Sequence, residues 1–291
     1  MPYGGLRSEA AEMDGLLGEL ESACEVKDIA GWRSGFKLLD ASLNGLSRGL
    51  YLVIGAPAVG KTAFLKQLCD ECVRANTVAA VFLTFNENKM DLRVRTLARL
   101  SGVETRDIRR GAGYLLHAYG VSKNPGEETA PGWETLKAAA NAAKVWLERI
   151  YLFECGAKTT LDEIAQMVSA ARQAAGTQNV VVAIDGAERL GAAAQSVDER
   201  LPLVEESLSD LAQRIDAPLV ATWPELARPA APEVWSERAA AASAVTVLRE
   251  TKSIADIVRR VTLHVVKNRG GERTAIEFDF TPGLAKFIEA Q

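Results

Sequence analysis

Apolar runs alternate with amphipathic segments along most of the chain. Several runs are rich in Val, Ile, Leu and Phe and are short enough to predict buried strands. They cover residues 50–54, 78–85, 150–153, 179–185, 218–223 and 244–248. Segments with helical spacing of apolar residues lie between them, at residues 63–68, 89–100, 132–148, 160–174 and 199–215. Strands that alternate with helices predict an α/β fold, with a mostly parallel sheet flanked by helices.

The C-terminal part of the chain has a different pattern. Residues 224–244 are rich in Ala and Pro and predict a loop or a marginal helix. A strand is predicted at residues 261–267, and a second one follows at residues 274–280 after the Gly270–Gly271 turn. Two strands joined by a glycine turn predict a hairpin, so we expect antiparallel strands to extend one side of the sheet.

Residues 8–24 precede these elements and have the pattern of an amphipathic helix. Their apolar side chains recur at helical spacing between acidic residues. These apolar residues are Met13, Leu16, Leu17 and Leu20. The apolar stripe needs a cover, which either its own domain or a neighbouring subunit would supply, and the sequence leaves both open.

Composition sets softer limits. The 291 residues suffice for one large α/β core, with few left for a second domain. No apolar run approaches the roughly 18 residues of a membrane span, and the N-terminus lacks the apolar stretch of a signal peptide, so a cytoplasmic protein is predicted. The net charge of −4 argues against a globally basic nucleic-acid binder, but not against a local basic patch in the channel of an oligomer.

Residues 55–62, GAPAVGKT, fit G-x-x-x-x-G-K-[ST], the phosphate-binding P-loop. The motif lies between a predicted strand and a predicted helix, and its glycines let backbone N–H groups turn toward phosphate oxygens. We expect Lys61 to reach the β- and γ-phosphates of a nucleotide and the Thr62 hydroxyl to bind Mg²⁺. The predicted nucleotide-binding residues are Gly55, Ala56, Pro57, Ala58, Val59, Gly60, Lys61, Thr62 and Ala63.

Three carboxylates are candidates for chemistry beside the phosphates. Asp185 ends an apolar strand, where a Walker B carboxylate would hold the water shell of Mg²⁺; the alternative is an Asp that caps a turn or a helix. Glu188 follows it and either senses phosphate or is solvated. Glu87 comes just after the strand at 78–85, which we expect beside the P-loop strand, and is a candidate base for the attacking water. A plain surface charge at Glu87 fits the sequence equally well.

Residues 267–273, KNRGGER, end a strand in a cationic turn. Such a turn can project Arg269 into the nucleotide site of a neighbouring subunit, where it would stabilise charge on the transferred phosphate. A solvated basic hairpin is the other interpretation.

Residues 31–40, GWRSGFKLLD, then residues 43–46, LNGL, then the P-loop resemble the motor domain of DnaB-type replicative helicases. That family typically shows G-x-x-[ST]-G-[FY]-x-x-L-D and then G-L before its P-loop. The resemblance covers about residues 10–288. It includes the strand that ends in Asp185 and the Lys267-x-Arg269 pair, which resembles the family's K-x-R finger.

The resemblance implies a RecA-like P-loop ATPase domain at residues 31–291. Residues 1–30 would then form a tail and a linker helix that docks on the adjacent subunit. The resemblance further implies a homohexameric ring that uses ATP and Mg²⁺ and holds single-stranded DNA in its channel. The residues and the resemblance together give Lys61, Glu87, Asp185 and Arg269 as the predicted catalytic residues, with Lys267 added to the nucleotide-binding set and Thr62 and Asp185 as metal ligands.

The chain departs from the family pattern at the catalytic positions. The family's S-L-E-M-S aligns with residues 84–88, and the L-x-x-R match at residues 92–95 places Asn86 where the catalytic Glu is expected. Glu87 comes one residue later, and strand alternation would turn it to the opposite face unless a bulge intervenes. After Asp185 the family often has Tyr-Leu-Gln, whereas this chain has Gly186-Ala187-Glu188.

The region of the family's channel loop has mixed charge. Its cations are Arg228, Arg238, Arg249 and Lys252, and its acids are Glu225, Glu233, Glu237 and Glu250. Each phosphate contact needs a donor, so this mixture predicts weak DNA binding.

Three hypotheses therefore stay open. The first is an ATP-dependent motor of the DnaB class that acts on single-stranded DNA. The second is a nucleotide-binding switch or scaffold of the same fold, with slow hydrolysis and a protein partner. The third is a KaiC- or RadA-like ATPase, which fits residues 31–40 less well.

Overall fold

The computed structural model describes residues 13, 28–119, 132–191, 197–225, 231–255 and 257–290. All of the predicted helix at 8–24 except residue 13 lies outside the described residues, and so does Arg228.

The described strands form a single sheet. They are β1 (Gly49–Gly55), β2 (Ala79–Thr84), β3 (Ile150–Glu154), β4 (Val180–Asp185), β5 (Pro218–Pro224), β6 (Ala244–Ala255), β7 (Val258–Asn268), β8 (Thr274–Thr281) and β9 (Lys286–Glu289). Their order is β3-β2-β4-β5-β1-β6-β7-β8-β9. The first six strands in this order, β3 through β6, are parallel to one another. Strands β7, β8 and β9 follow β6 in antiparallel pairs. The predicted α/β class and the antiparallel C-terminal extension are confirmed.

Helices cover both faces of this sheet. They are α1 (Lys37–Leu43), α2 (Lys61–Ala75), α3 (Lys89–Ser101), α4 (Thr105–Arg110), α5 (Ala112–Tyr119), α6 (Trp133–Leu147), α7 (Leu161–Ala175), α8 (Val197–Arg214) and α9 (Val234–Arg238). Helix α7 begins with a capping box, in which the Thr160 side chain accepts from the Glu163 N–H and the Glu163 side chain accepts from the Thr160 N–H. The short helices α1, α4 and α5 were not predicted, because none is long enough to show a helical period.

The strand order corrects one expectation. β2 was expected beside the P-loop strand β1, but β4 and β5 lie between them. The register still brings their ends to one edge: Thr84 pairs with Asp185, and Gly55 pairs with Pro224 of β5. Because the carboxyl ends of parallel strands share an edge, the loops after β1, β2, β4 and β5 surround one place.

An aromatic cluster fixes the antiparallel extension to the P-loop helix α2. The Phe36 and Phe64 rings stack with centroids 5.2 Å apart, and Phe278 and Phe287 pack edge-on against Phe64 at 5.7 and 5.4 Å. The Gln67 side-chain amide donates to the Phe287 carbonyl and accepts from the Phe287 N–H, both at 2.8 Å. The short strand β9, which was not predicted, is therefore held by a buried side chain of α2.

No described helix is both long enough and apolar enough to cross a membrane.

The P-loop helix α2 carries two buried cysteines, Cys69 and Cys72, with free thiols. Burial raises the pKa of the Cys69 thiol to about 12, so the thiol is protonated at neutral pH, as a structural role requires.

Candidate nucleotide-binding site

The P-loop connects the end of β1 at Gly55 to the start of α2 at Lys61. Gly60 has φ +105°, and a β-carbon there would lie 2.9 Å from both the Phe280 and the Phe287 ring. Glycine is needed for the backbone angle and for the approach of the aromatic cluster. The aromatic cluster thus sets the position of the loop just before the first turn of α2.

The Lys61 side chain folds back into the P-loop, which precedes it in the chain. Its Nζ donates to the Gly55 carbonyl at 2.8 Å and to the Ala56 carbonyl at 2.9 Å. Burial lowers the pKa of Lys61, and the carboxylates of Asp185, Glu188 and Glu225 oppose that shift. The ammonium group is therefore bonded only to groups that phosphate oxygens can replace.

Thr62 and Asp185, the two predicted metal ligands, are in direct contact. The Thr62 hydroxyl lies 3.0 Å from both carboxylate oxygens of Asp185, and the Thr222 hydroxyl donates to Oδ1 of Asp185 at 2.9 Å. Burial raises the pKa of Asp185, and the bonds from Thr222 and Thr62 oppose that shift. The strand-end carboxylate is thus bound to the P-loop by the residue that follows Lys61.

Glu87 lies in a turn rather than in a strand. Strand β2 ends at Thr84, whose hydroxyl accepts from the Glu87 N–H at 2.9 Å and donates to the Glu87 carbonyl at 3.0 Å. Strand alternation therefore does not govern the direction of Glu87, and no bulge is needed. Both Asn86 and Glu87 face the P-loop cavity.

Arg95 on α3 holds the Glu87 carboxylate. Its Nε donates to Oε2 at 3.0 Å, and its Nη2 donates to Oε1. In the sequence, Arg95 is visible only as the end of the L-x-x-R match, which gives it no role. The contact requires the turn that carries Glu87 to fold back against α3, and no local pattern shows that.

These residues surround a cavity of about 660 Å³. Lys61, Thr62, Asp185, Glu188 and Glu87 line one end. Burial raises the pKa of Glu188, and the nearby Asp185 raises it further. The other end is formed by Arg259, Phe280 and Pro282, which sequence reasoning missed because the sheet brings the β7 and β8 strands to the P-loop from far along the chain.

The structure does not bring Lys267 and Arg269 to this cavity. Lys267 Nζ donates to the Ala239 and Ala240 carbonyls at 2.7 and 2.5 Å, and Arg269 Nη2 donates to the Ala240 carbonyl at 2.8 Å. Leu248 pairs with Gly55 on one side and with Leu263 on the other. Arg269 comes six residues after Leu263, so it lies about 20 Å from the P-loop of the same chain, at a rise of about 3.3 Å per residue.

Of the cations predicted for the channel loop, the two whose side chains the structure describes both have partners within the chain. Arg249 forms an ion pair with the buried Glu225 at 2.8 Å, and the Arg238 guanidinium lies 5.3 Å from the centre of the Trp235 ring. Arg228 lies outside the described residues, as does the side chain of Lys252.

The solved structures that resemble this fold include two helicase-related ones. One is described as an ATPase domain and has a TM-score of 0.76 and 18% identity, over 98% of this chain and 99% of its own. The other is a DnaB-like replicative helicase, described together with its interactions with primase, with a TM-score of 0.74 and 18% identity, over 98% of this chain and 69% of its own. Both confirm the predicted α/β fold. No curated protein matches the sequence.

Sequence alone provides the family assignment. The family model for the DnaB-like helicase C-terminal domain matches residues 31–289, which is most of the chain. This range begins at the glycine of the GWRSGFKLLD segment and includes the P-loop, Asp185 and the Lys267–Arg269 pair. The chain belongs to the DnaB-like helicase C-terminal domain family.

Proposed function

We propose that this chain binds ATP with Mg²⁺ in the P-loop cavity, hydrolyses it, and uses the hydrolysis to move along single-stranded DNA as a homohexameric ring. The family is one of ATP-driven, helicase-like motors. The observation that carries the proposal is the joint placement of Lys61, Thr62 and Asp185 in one cavity large enough for a nucleotide.

The shape of the cavity fits the parts of ATP. Phosphate oxygens would replace the Gly55 and Ala56 carbonyls as partners of Lys61, at the N-terminus of α2, where the helix dipole favours anions. Pro282 and Arg259, beside the buried Phe280, would lie against the base.

The residues at the phosphate end fit Mg²⁺. The cation prefers oxygen ligands, and the Thr62 hydroxyl and the Asp185 carboxylate already share one position. No group of three or more His, Cys, Asp or Glu that would bind a metal occurs among the described residues, so phosphates and water would complete the coordination. Bound there, Mg²⁺ would neutralise charge on the phosphates.

We assign the proton-accepting role to Glu87. The water oxygen forms a bond to the γ-phosphorus, the bond from that phosphorus to the bridging oxygen of ADP breaks, and the proton of the water passes to Glu87. ADP keeps the electron pair of the broken bond. Lys61 would stabilise the charge that develops on the phosphates.

The position of Arg269 supports an assembly of several subunits. Because Arg269 lies about 20 Å and Lys267 about 13 Å along the sheet from the P-loop of their own chain, any phosphate that they contact belongs to another subunit. We therefore propose that both residues complete the site of a neighbour. The start of the family match at residue 31 supports a domain at 31–291 preceded by a separate segment at 1–30.

A second function, a nucleotide-dependent switch or scaffold with slow hydrolysis, is favoured by one observation. Asn86 occupies the place expected for the catalytic Glu, and the Glu87 carboxylate is engaged by Arg95. Such a protein would bind ATP and assemble, and its partner would be a protein rather than DNA.

Steady-state ATPase activity with and without single-stranded DNA separates the two functions. We expect DNA-stimulated turnover that is lost in Lys61→Ala and in Glu87→Gln. ATP binding without turnover would favour the switch. A monomeric protein that does not bind ATP would exclude both.

A further inference from the structure

The direction of the Glu87 side chain depends on one other residue. Arg95 donates to both carboxylate oxygens, and no other described side chain bonds to them. The side chains are 25% exposed for Arg95 and 22% for Glu87, so the pair is neither free in solvent nor part of the core. A two-point bond fixes the plane of a carboxylate as well as its position.

Arg95 has donors left over. A guanidinium group carries five N–H groups, and the pair with Glu87 uses Nε and Nη2. Nη1 makes no hydrogen bond to any described residue. Arg95 also lines the cavity that contains Lys61 and Thr62, so these remaining donors are available to an anion bound beside them.

Arg95 is one of several charged side chains that line the cavity. The carboxylates of the cavity are Glu87, Asp185 and Glu188, and its cations are Lys61, Arg95, Arg189 and Arg259. Arg189 already donates to the Phe85 carbonyl at 2.9 Å. A γ-phosphate carries more negative charge than a carboxylate, so it attracts the guanidinium of Arg95 away from Glu87.

We propose that Arg95 positions Glu87 and exchanges partners with the nucleotide. With ADP, Arg95 stays on both oxygens of Glu87. With ATP, Arg95 bonds the γ-phosphate and leaves Glu87 able to accept the proton of the attacking water. This inference rests on the proposed hydrolysis and adds that the base becomes available only when the phosphate to be cleaved is present.

Nucleotide preference and turnover, measured in the same variants, test the exchange. In Arg95→Ala we expect kcat to fall on the order of 10²-fold, the usual range for loss of acid–base positioning. ADP affinity should stay unchanged, while the preference for ATP over ADP falls about tenfold, the loss expected for one charged hydrogen bond. Arg95→Lys should recover the ATP preference but only part of kcat, because an ammonium group cannot hold both oxygens of Glu87.

Two matched variants separate this role from structural support. Arg109 pairs with Asp91 of α3 at 2.6 Å and does not line the cavity, so Arg109→Ala removes an ion pair from the same helix and should leave preference and kcat unchanged. Glu87→Gln should lose kcat but keep the ATP preference. If Arg95→Ala does not fold, Arg95→Lys carries the test.

The outcomes for the two proposals are distinct. Equal weakening of ATP and ADP binding in Arg95→Ala, or an unchanged ATP preference, overturns the exchange. A wild-type protein without turnover overturns the proposed hydrolysis, and with it the release of Glu87. Calorimetric titration with ATP and with ADP decides the γ-phosphate contact without any turnover.

Discussion

The amide nitrogen of Asn86 lies where the side chain of residue 186 would begin: a β-carbon on Gly186 would be 2.4 Å from Nδ2 of Asn86. Gly186 also has φ +87°, and its N–H donates to the Thr222 hydroxyl at 2.8 Å. Asn86 stands where a catalytic Glu is expected, and Gly186 follows Asp185 where the family often has Tyr. The two departures from the family pattern therefore lie against each other.

We expect Gly186→Ala to destabilise the fold by about 1–3 kcal/mol, because a β-carbon at this positive φ is strained and meets the Asn86 amide. Adding Asn86→Ala should recover the part of this loss that comes from the contact. Urea unfolding of both single variants and the double variant measures this coupling. Strictly additive losses would show that only the backbone angle matters.

Asp185→Asn should make the protein more stable at neutral pH. Burial raises the pKa of Asp185 above its ordinary value of 3.8. A carboxyl with a raised pKa in the folded state favours folding most below its unfolded pKa, and this contribution is lost as pH rises through the folded pKa. Asn keeps an acceptor for Thr222 and removes the titration.

Thermal melting without nucleotide or Mg²⁺ measures this effect. The gain in Tm of Asp185→Asn should be a few degrees at pH 7, since about 1 kcal/mol shifts Tm by about 2–4 °C in a large domain. The gain should shrink as pH falls toward 3.8. A gain that does not change with pH would contradict the assigned cause, and the variant should also lose Mg²⁺-dependent activity.

The contact of the Arg269 turn with the Ser42 carbonyl gives a third prediction. A β-carbon on Gly271 would lie 2.0 Å from the Ser42 carbonyl, which also accepts from the Asn268 side chain at 2.7 Å. On Gly270 the nearest atom would be 3.8 Å away. Gly271→Ala should therefore displace Arg269 and lower the ATPase activity of the assembled protein about tenfold or more.

Nucleotide binding in Gly271→Ala should stay normal, because the turn lies about 20 Å from the P-loop of its own chain. Gly270→Ala is the matched control and should keep full activity. ATPase assays and ATP titrations on both variants measure this difference. Weakened ATP binding in Gly271→Ala alone would show that the turn supports its own site instead.

Phe287 should contribute much of the stability of the antiparallel extension. It is 1% exposed and packs against Phe64 and Phe280, whereas its neighbour Ile288 is 52% exposed. We expect Phe287→Ala to cost about 3–5 kcal/mol of unfolding free energy, and Ile288→Ala less than about 1 kcal/mol. Denaturant titration gives both values. Similar losses would mean that β9 does not belong to the core.

Local patterns predicted most of the strands, the P-loop and the end of β4 at Asp185, because each depends on residues close in sequence. The neighbour of β1 was predicted wrongly, because the order of parallel strands depends on how the helices pack and not on the strand sequences. The direction of the Glu87 side chain could not be predicted either. It depends on the turn after β2, which the Thr84 hydroxyl stabilises through its bonds to the Glu87 backbone.

Pairs distant in sequence explain the remaining differences. β9 has too few residues to show a period, and the buried amide of Gln67 holds it in place. Arg95 was visible only as a motif residue, because its contact with Glu87 requires the turn and α3 to have their observed geometry.

The separation of Arg269 from its own P-loop bears on how the protein behaves when dilute. Under the proposed mechanism a solitary chain holds ATP but lacks a cation that lies on another copy. Specific activity should then rise with protein concentration until assembly is complete, so newly made chains keep their nucleotide intact until enough copies have met.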